Sequence, residues 1–409
     1  MITIYNKINK ALAESKSAFI IHLDTFKKNI LSLQSAFRDH YSKTFIGYSY
    51  KTNWSPPFCK TADELGCFAE VVSEMEVSMA LKHITDKSKI IYNGPIKTES
   101  SIIDVLSRGG IVNVDNTSEL KLILKLSEHL TLKNSWKIAF RLNLSYQGQN
   151  SRFGQDEKIV KEMLELVQGN AKIKVIGFHI HLPFRSLDSF HFRIISLLEF
   201  CDDYGWENID YLNIGGGFFG NVSKELRKSL GVENSPSFSD YGLAVARTLE
   251  NHLDEKNIKN RPDLFLEPGS SVVADAMSFV SKIYLLKEIG NRNYAVTFAG
   301  RHLLSPTNKT IELPCRILRS TETSSADKIN YIISGYTCIE GDILSEIQTE
   351  RLSVDDLIQF SNVGSYSVVM GSNFILPEPP IYIEIGGKLS LLRKPVIFDE
   401  IISRFRSYQ

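Results

Sequence analysis

Between residues 44 and 270 the chain alternates short β-branched runs with segments of helical period. Strands read with a two-residue repeat or a continuous apolar run, and amphipathic helices with apolar residues three and four apart. The strand candidates are TFIGYSYK (44–51), CFAEVVS (67–73), KIIYNGP (89–95), GIVNVDN (110–116), WKIAFRLN (136–143), KVIGFHIHL (174–182), YLNIGGG (211–217) and LFLEPG (264–269). Helical patterns lie between them, such as SEMEVSMALKH (73–83), TSELKLILKLSEH (117–129) and SFHFRIISLLEFCDDYG (189–205). Capping residues are predicted at Thr98 and at Thr117 or Ser118. Eight strand–helix units in roughly 225 residues match the size of a closed (β/α)8 barrel, the TIM barrel. An open doubly wound sheet is the alternative. It calls for a Gly-rich turn after the first strand, and none is present.

The remainder follows another pattern. Residues 17–24 (SAFIIHLD) read as one strand, and from about residue 275 strands and turns dominate. The expected layout is a barrel over residues 27–275, inserted into a mostly β domain made of residues 1–26 plus 276–409. The stretch NSPSFSD (234–240) reads as the most mobile loop. At 409 residues the chain is long enough for two cores. Its 47 Lys and Arg balance 47 Asp and Glu. Nothing in that balance favours nucleic acid or an anionic membrane as a partner. No apolar run approaches the ~20 residues that span a bilayer, and MITIYNKINK lacks a signal-peptide core. The five cysteines (Cys59, Cys67, Cys201, Cys315 and Cys338) are scattered and without metal-type spacing. They fit a reducing, cytoplasmic setting with no metal site and no disulfide framework.

In a barrel the C-terminal strand ends gather on one face, where barrel enzymes carry their chemistry. Lys51 closes YSYKTN at such an end. Burial there makes an amine a usable base or Schiff-base nucleophile; otherwise it is a loop lysine. The other ends offer Ser73, Asn93-Gly94-Pro95, Asp115, Arg141, His181, Gly215-Gly216-Gly217 and Glu267. A glycine triplet lets backbone N–H groups approach an anion, or simply makes a tight turn. Together these residue types suit a phosphorylated, ring-shaped cofactor.

The same segments carry a family resemblance. YSYKTN resembles Y-A-x-K-A-N of the fold-type III pyridoxal-phosphate (PLP) decarboxylases, the diaminopimelate, ornithine and arginine decarboxylase group, whose barrel is of the alanine racemase type. CFAEVVSEME (67–76) resembles F-D-x-x-S-x-x-E, VDNTSEL (114–120) D-S-x-x-E-L, and RLN (141–143) with SRFG (151–154) R-x-N…S-K-F-G. GFHIHL (177–182) resembles G-x-H-x-H-I-G-S, NIGGGF (213–218) the glycine loop, and LFLEPG E-P-G-R. GYTCIEGDIL (335–344) resembles G-P-x-C-x-x-x-D, and VGSYSVVMGSNF (363–374) G-A-Y. The resemblance implies that Lys51 carries PLP covalently and that His181 stacks on its ring. It implies that Gly215, Gly216 and Gly217 bind the phosphate, that Glu267 keeps the pyridine nitrogen protonated, and that Tyr366 adds a hydroxyl. It implies that Cys338 returns a proton after CO2 leaves, from the partner subunit of a homodimer with shared active sites. Arg141, Glu340 and Asp342 are expected on the substrate side, and His179 is expected to be structural.

Four departures from the family pattern stand out. Ser270 stands for the arginine of E-P-G-R, and Pro183-Phe184 for Gly-Ser, where Arg185 could compensate. In FAGRHLLSPTNK (298–309), Ser305 stands for the arginine that grips a distal substrate carboxylate. Ile339 stands for the acid that receives a distal ammonium, with Glu340 one place later. The expected reaction is decarboxylation of an α-amino acid that is neutral-ended, conjugated or carrier-bound rather than free diaminopimelate or ornithine, in a biosynthetic pathway. The alternatives are a racemase or epimerase, using Lys51 against a β-domain tyrosine, and a non-catalytic regulatory homologue.

Overall fold

The computed structural model describes residues 2–13, 15–229, 232, 234–307, 312–320, 327–354 and 356–405. Two compact units are present: Lys27–Gly220 with Ser235–Val272, and Met1–Phe26 with Asn221–Asn234 and Val273–Gln409. The range 27–275 expected for the barrel thus takes in residues 221–234, which group with the other unit.

The first unit is a closed barrel of eight parallel strands. Numbering strands along the whole chain, with β1 at Ser17–His22, the barrel comprises β2 (Thr44–Ser49), β3 (Phe68–Val71), β4 (Ile90–Tyr92), β5 (Ile111–Val114), β6 (Trp136–Leu142), β7 (Ile173–Ile180), β8 (Tyr211–Asn213) and β9 (Asp263–Leu266). Closure comes from β2 pairing with β9, Phe45 opposite Phe265. All eight sequence-derived strands are present, and the open sheet is excluded. Phe45, Phe68, Ile91, Ile111, Ala139, Ile176, Tyr211 and Phe265 pack together as an apolar layer. Phe265 meets Phe68 edge-on with centroids 4.9 Å apart and stacks on Phe45 at 5.5 Å.

Residues two apart on a strand share a face. The next same-face position toward each strand's C-terminus changes character: Phe68 is followed by Glu70, Ile91 by Asn93, Ile111 by Asn113, Ala139 by Arg141, Tyr211 by Asn213 and Phe265 by Glu267. These polar residues are buried. An apolar floor thus carries a polar layer at the end where barrel enzymes bind ligands.

Local signals set the helices. Ser73 caps Glu74–His83 by accepting the Glu76 N–H, and Thr98 with Ser101 forms a capping box for Glu99–Leu106. The helix Thr117–His129 is capped by Asn116, whose side chain accepts the Glu119 N–H, and not by Thr117 or Ser118. Asn is as good a cap as Ser, and it stands one residue earlier, in extended backbone. The stretch 234–240 is less irregular than expected: Ser237 and Asp240 close a capping box at the start of Phe238–Gly242.

The second unit is built on a sheet that uses both ends of the chain. β1 pairs antiparallel with β10 (Met277–Ile289) and parallel with β16 (Ile381–Ile385). Further out lie β11 (Arg292–Thr297), β13 (Ile329–Ser334) and β14 (Ile343–Thr349) on one side and β17 (Lys388–Arg393) on the other. β12 (Cys315–Leu318) pairs with β15 (Leu357–Phe360), which pairs with β10. The helix Ile2–Ala11 was not foreseen. Its Tyr5 and Ile8, with Leu12 just beyond, fall on one face and pack on Ala18, Ile20 and Val280. Each large apolar side chain so buried contributes roughly 1.5–3 kcal/mol. Among the described residues no helix is long and apolar enough to cross a membrane.

Candidate active site

The polar layer of the barrel is one connected network. Lys51 lies in the short turn Tyr50–Thr52 that follows β2. Its Nζ donates to Glu70 Oε2 at 2.5 Å; the lysine side chain is 39% exposed and that of Glu70 fully buried. Glu70 Oε1 accepts from Asn93 Nδ2 at 2.9 Å, and the same amide donates to Glu267 Oε1 at 2.8 Å. Asn213 Nδ2 donates to Glu267 Oε1 at 2.7 Å. Asn113 Nδ2 donates to Asn93 Oδ1 at 2.7 Å and to Tyr211 Oη at 3.0 Å. Two buried carboxylates are tolerable only with such partners.

Glu267 is the hub. Burial pushes its carboxyl up, but the His179 ring, the Lys51 ammonium and the Asn93 amide outweigh burial and hold it well below the ordinary carboxylate range. It is an anion at neutral pH. His179 Nε2 lies 3.4 Å from Glu267 Oε2. His179 therefore belongs to the site rather than to a structural face, because it shares a strand face with His181.

His181 is half-buried. Its Nδ1 accepts the Gly216 N–H at 3.0 Å, which places the ring proton on Nε2. Burial, reinforced by the cations of Arg193, Arg141 and Lys51, holds it well below the ordinary histidine value. The ring is neutral, flat and fixed in orientation.

The glycine loop wraps this ring. Gly215 (φ +69°) and Gly217 (φ +98°) take left-handed backbone that side chains rarely adopt. A Cβ at Gly215 would sit 2.5 Å from His181 Nδ1, and one at Gly216 would sit 2.3 Å from the Glu267 carbonyl oxygen. The Gly215 N–H donates to Asn213 Oδ1 at 2.8 Å. Two of the three glycine N–H groups expected on a phosphate thus have acceptors within the chain.

Other expected residues fall elsewhere. Ser73 is a helix cap, and Glu70 takes the site position on its strand. Arg141 lies 3.8 Å from Asp115 and 4.8 Å from the Phe153 ring centroid, both ionic partners being largely buried. Arg185 is exposed, its guanidinium 5.4 Å from the Phe219 ring centroid. In the β-rich unit Cys338, Ile339 and Glu340 are exposed. Asp342 is buried: Oδ1 accepts the Arg301 N–H at 2.8 Å, and Oδ2 the Thr337 hydroxyl at 2.6 Å. With both oxygens engaged, Asp342 fastens its loop rather than offering a free carboxylate to a substrate. Tyr366 is half-buried with φ +64°, a conformation that costs an aromatic residue strain. Ser305 directly follows the short helix Arg301–Leu304, and Asn308 and Lys309 of its segment lie outside the described residues.

Sequence reasoning passed over Glu70, Asn113, Asn213 and Arg193. The signal for the first three was a polar residue two places after an apolar one in a strand buried on both faces. Arg193 lies in the middle of the helix Leu187–Tyr204, and its spacing marks only a residue on the inner side of an amphipathic helix.

A parallel barrel with a lysine, an anionic acid, a neutral histidine and a glycine loop at one end defines a barrel enzyme built for a phosphorylated cofactor. A family model described as the pyridoxal-binding domain of pyridoxal-dependent decarboxylases matches residues 27–274, and the chain belongs to that family. Diaminopimelate decarboxylase of Aquifex aeolicus is 26% identical, over 96% of this chain and 93% of its own length. That of Methanocaldococcus jannaschii is 24% identical, over 98% and 93%. Among solved folds, M. jannaschii diaminopimelate decarboxylase in complex with L-lysine superposes with TM-score 0.85 at 22% identity, covering 98% of this chain and 94% of that one. Arginine decarboxylase of Paramecium bursaria Chlorella virus gives 0.76 at 18% identity, covering 94% and 100%. The protein is a PLP-dependent amino-acid decarboxylase.

The residues present fit PLP. Glu267 offers an anion for the pyridine nitrogen, His181 a fixed flat ring, and Lys51 an amine beside both. The glycine loop has no room for a side chain, as close backbone approach to a phosphate requires. Bound PLP supplies an aldehyde for an amine and a ring that takes up the electron pair left by departing CO2. Lys51 would be the amine that holds the cofactor there. Glu70 orients Lys51 Nζ. Glu267 would supply the negative charge that a protonated ring nitrogen requires.

Proposed function

We propose that this enzyme decarboxylates an α-amino acid whose far end carries no charge, or is joined to a larger group, in a biosynthetic pathway. The observation that carries this is the pair Ser305 and Ile339, standing where the resemblance places the arginine and the acid that grip a charged substrate end. A site built for a charged group loses several kcal/mol of discrimination when the partner charge is missing. Glu340 is not a ready substitute. The Asp342 N–H bonds the Ile339 carbonyl at 2.9 Å, and the Gly335 N–H bonds the Asp342 carbonyl at 2.8 Å. Sliding Glu340 back by one residue would break this hydrogen-bonded loop.

A second reading is that the substrate is diaminopimelate, and similarity to diaminopimelate decarboxylases over nearly the whole chain favours it. The experiment is a screen for CO2 release from free diaminopimelate, ornithine, lysine and arginine, set against amide-capped and carrier-linked analogues. Turnover of the capped or linked forms alone is expected. Robust turnover of free diaminopimelate or ornithine would replace this reading by the second.

The same reading makes the enzyme a cytoplasmic homodimer in which the exposed Cys338 of one subunit serves the barrel site of the other, with Tyr366 adding a hydroxyl. What supports it is the GYTCIEGD block, the exposure of Cys338 and the strained backbone of Tyr366.

A further inference from the structure

Arg193 is fully buried and reaches from the helix Leu187–Tyr204 to the two loops that border the site. Nη1 donates to the carbonyls of Ile214 (3.1 Å) and Gly216 (2.7 Å). Nη2 donates to those of Leu182 (2.8 Å) and Phe184 (2.6 Å), with a longer contact of 3.4 Å to Ser189 Oγ. The guanidinium carbon stacks 4.0 Å from the Phe190 ring centroid. Nε is buried without an acceptor among the described residues. No carboxylate forms an ion pair with Arg193 among those residues either. A buried cation with no anion is costly and is relieved when an anion arrives.

The carbonyls it holds belong to the two loops where the resemblance places phosphate contacts, and the first of these, together with the segment after β9, departs from the family pattern. Pro183-Phe184 stands where the resemblance has Gly-Ser, and Ser270 stands where it has an arginine. Peptide bonds are trans among the described residues, so a C=O drawn toward Arg193 turns the N–H of the same peptide plane away from it. The Gly216 carbonyl thereby orients the Gly217 N–H, and the Phe184 carbonyl orients the Arg185 N–H. Neither N–H has an acceptor among the described residues.

We propose that Arg193 is the positioning residue of the cofactor's phosphate site: it aims the Gly217 and Arg185 N–H groups and supplies the buried positive charge that a phosphate dianion neutralises. It takes over the electrostatic part that the missing arginine and serine play in the family pattern. This rests on family membership and is independent of which amino acid is the substrate. Burial lowers the guanidinium to about 9, consistent with a cation that lacks its counter-ion.

The test compares PLP with pyridoxal, which has the aldehyde and ring but no phosphate. Apoenzyme is titrated with each, following the absorbance of the lysine-bound chromophore. For Arg193→Met the affinity for PLP is expected to fall on the order of a hundredfold, with pyridoxal affinity changed less than about threefold. If that variant does not fold, Arg193→Gln carries the same comparison, since it still donates two hydrogen bonds. Arg193→Lys keeps the charge and is expected to hold the PLP-over-pyridoxal preference within about tenfold of the wild type. An unchanged preference in the neutral variants, equal weakening of PLP and pyridoxal, or failure of lysine to preserve the preference would overturn the proposal.

Discussion

Lys51 Nζ and Glu70 Oε2 are hydrogen-bonded at 2.5 Å, and the other oxygen of Glu70 is held by Asn93. The lysine is therefore aimed by a carboxylate that is itself locked into the barrel. The carboxylate also favours the charged form of the amine, which cannot attack an aldehyde. Glu70→Gln keeps an acceptor for Asn93 and removes the charge. Apoenzyme of this variant is expected to attach PLP severalfold faster than wild type at pH 7, with a less ordered product state. Stopped-flow absorbance checks the rate. Glu70→Ala leaves Asn93 Nδ2 with Glu267 as acceptor but takes away its second one, and is expected to cost about 1–3 kcal/mol in unfolding experiments.

Among the described residues Glu267 alone of the carboxylates meets Asn93, Asn213 and His179 together. Glu267→Gln preserves an acceptor for both amides and removes the anion. Single-turnover CO2 release is expected to slow by about 10²-fold or more, the scale of losing one preorganised electrostatic contact. PLP affinity is expected to change far less, because the phosphate loop is untouched. Equal losses in both quantities would contradict the assigned role.

Cys338 is exposed on the β-rich unit. If it serves a neighbouring subunit, Lys51→Ala and Cys338→Ala are each expected to lose activity, the latter by roughly 10²-fold or more as for a lost proton donor. Mixed, unfolded and reassembled together, they are expected to regain up to about a quarter of wild-type activity through hybrid dimers. No recovery on mixing would place the cysteine in its own subunit's site.

Glu76 gives a pH prediction. Burial pushes its carboxyl from 4.5 to about 7, although it accepts the Val72 N–H at 2.8 Å. Its folded value lies above its unfolded one, so between these pH values the native state holds a proton that the unfolded chain has released. Stability from this group is therefore full below about pH 4.5 and falls as pH rises to about 7, then levels off. Glu76→Gln does not ionise. It is expected to match wild type at pH 5 and to exceed it at pH 8 by on the order of 1–3 kcal/mol. Thermal unfolding at the two pH values measures this.

The barrel was legible because its signals are local. TFIGYSYK or WKIAFRLN declares a strand within its own residues, and eight such runs alternating with helical segments leave few closed topologies. Lys51, His181, Glu267 and the glycine triplet were legible because each stands at a strand end. The cap at Asn116 was misplaced because several capping residues adjoin, and the geometry of one residue decides among them. The helix Ile2–Ala11 was missed because what stabilises it is packing on Ala18, Ile20 and Val280, the last far away in the chain.

By itself the sequence determined the order of the barrel strands and the cofactor family, since these depend on residue type and spacing along the chain. Only the tertiary structure decided which polar groups meet. Asn93 reaches Glu267 across 174 positions, His179 joins the same carboxylate, and Arg193 holds carbonyls from two separate loops. A buried polar atom takes whichever partner the closed barrel brings within hydrogen-bond range, and chain spacing does not encode that partner.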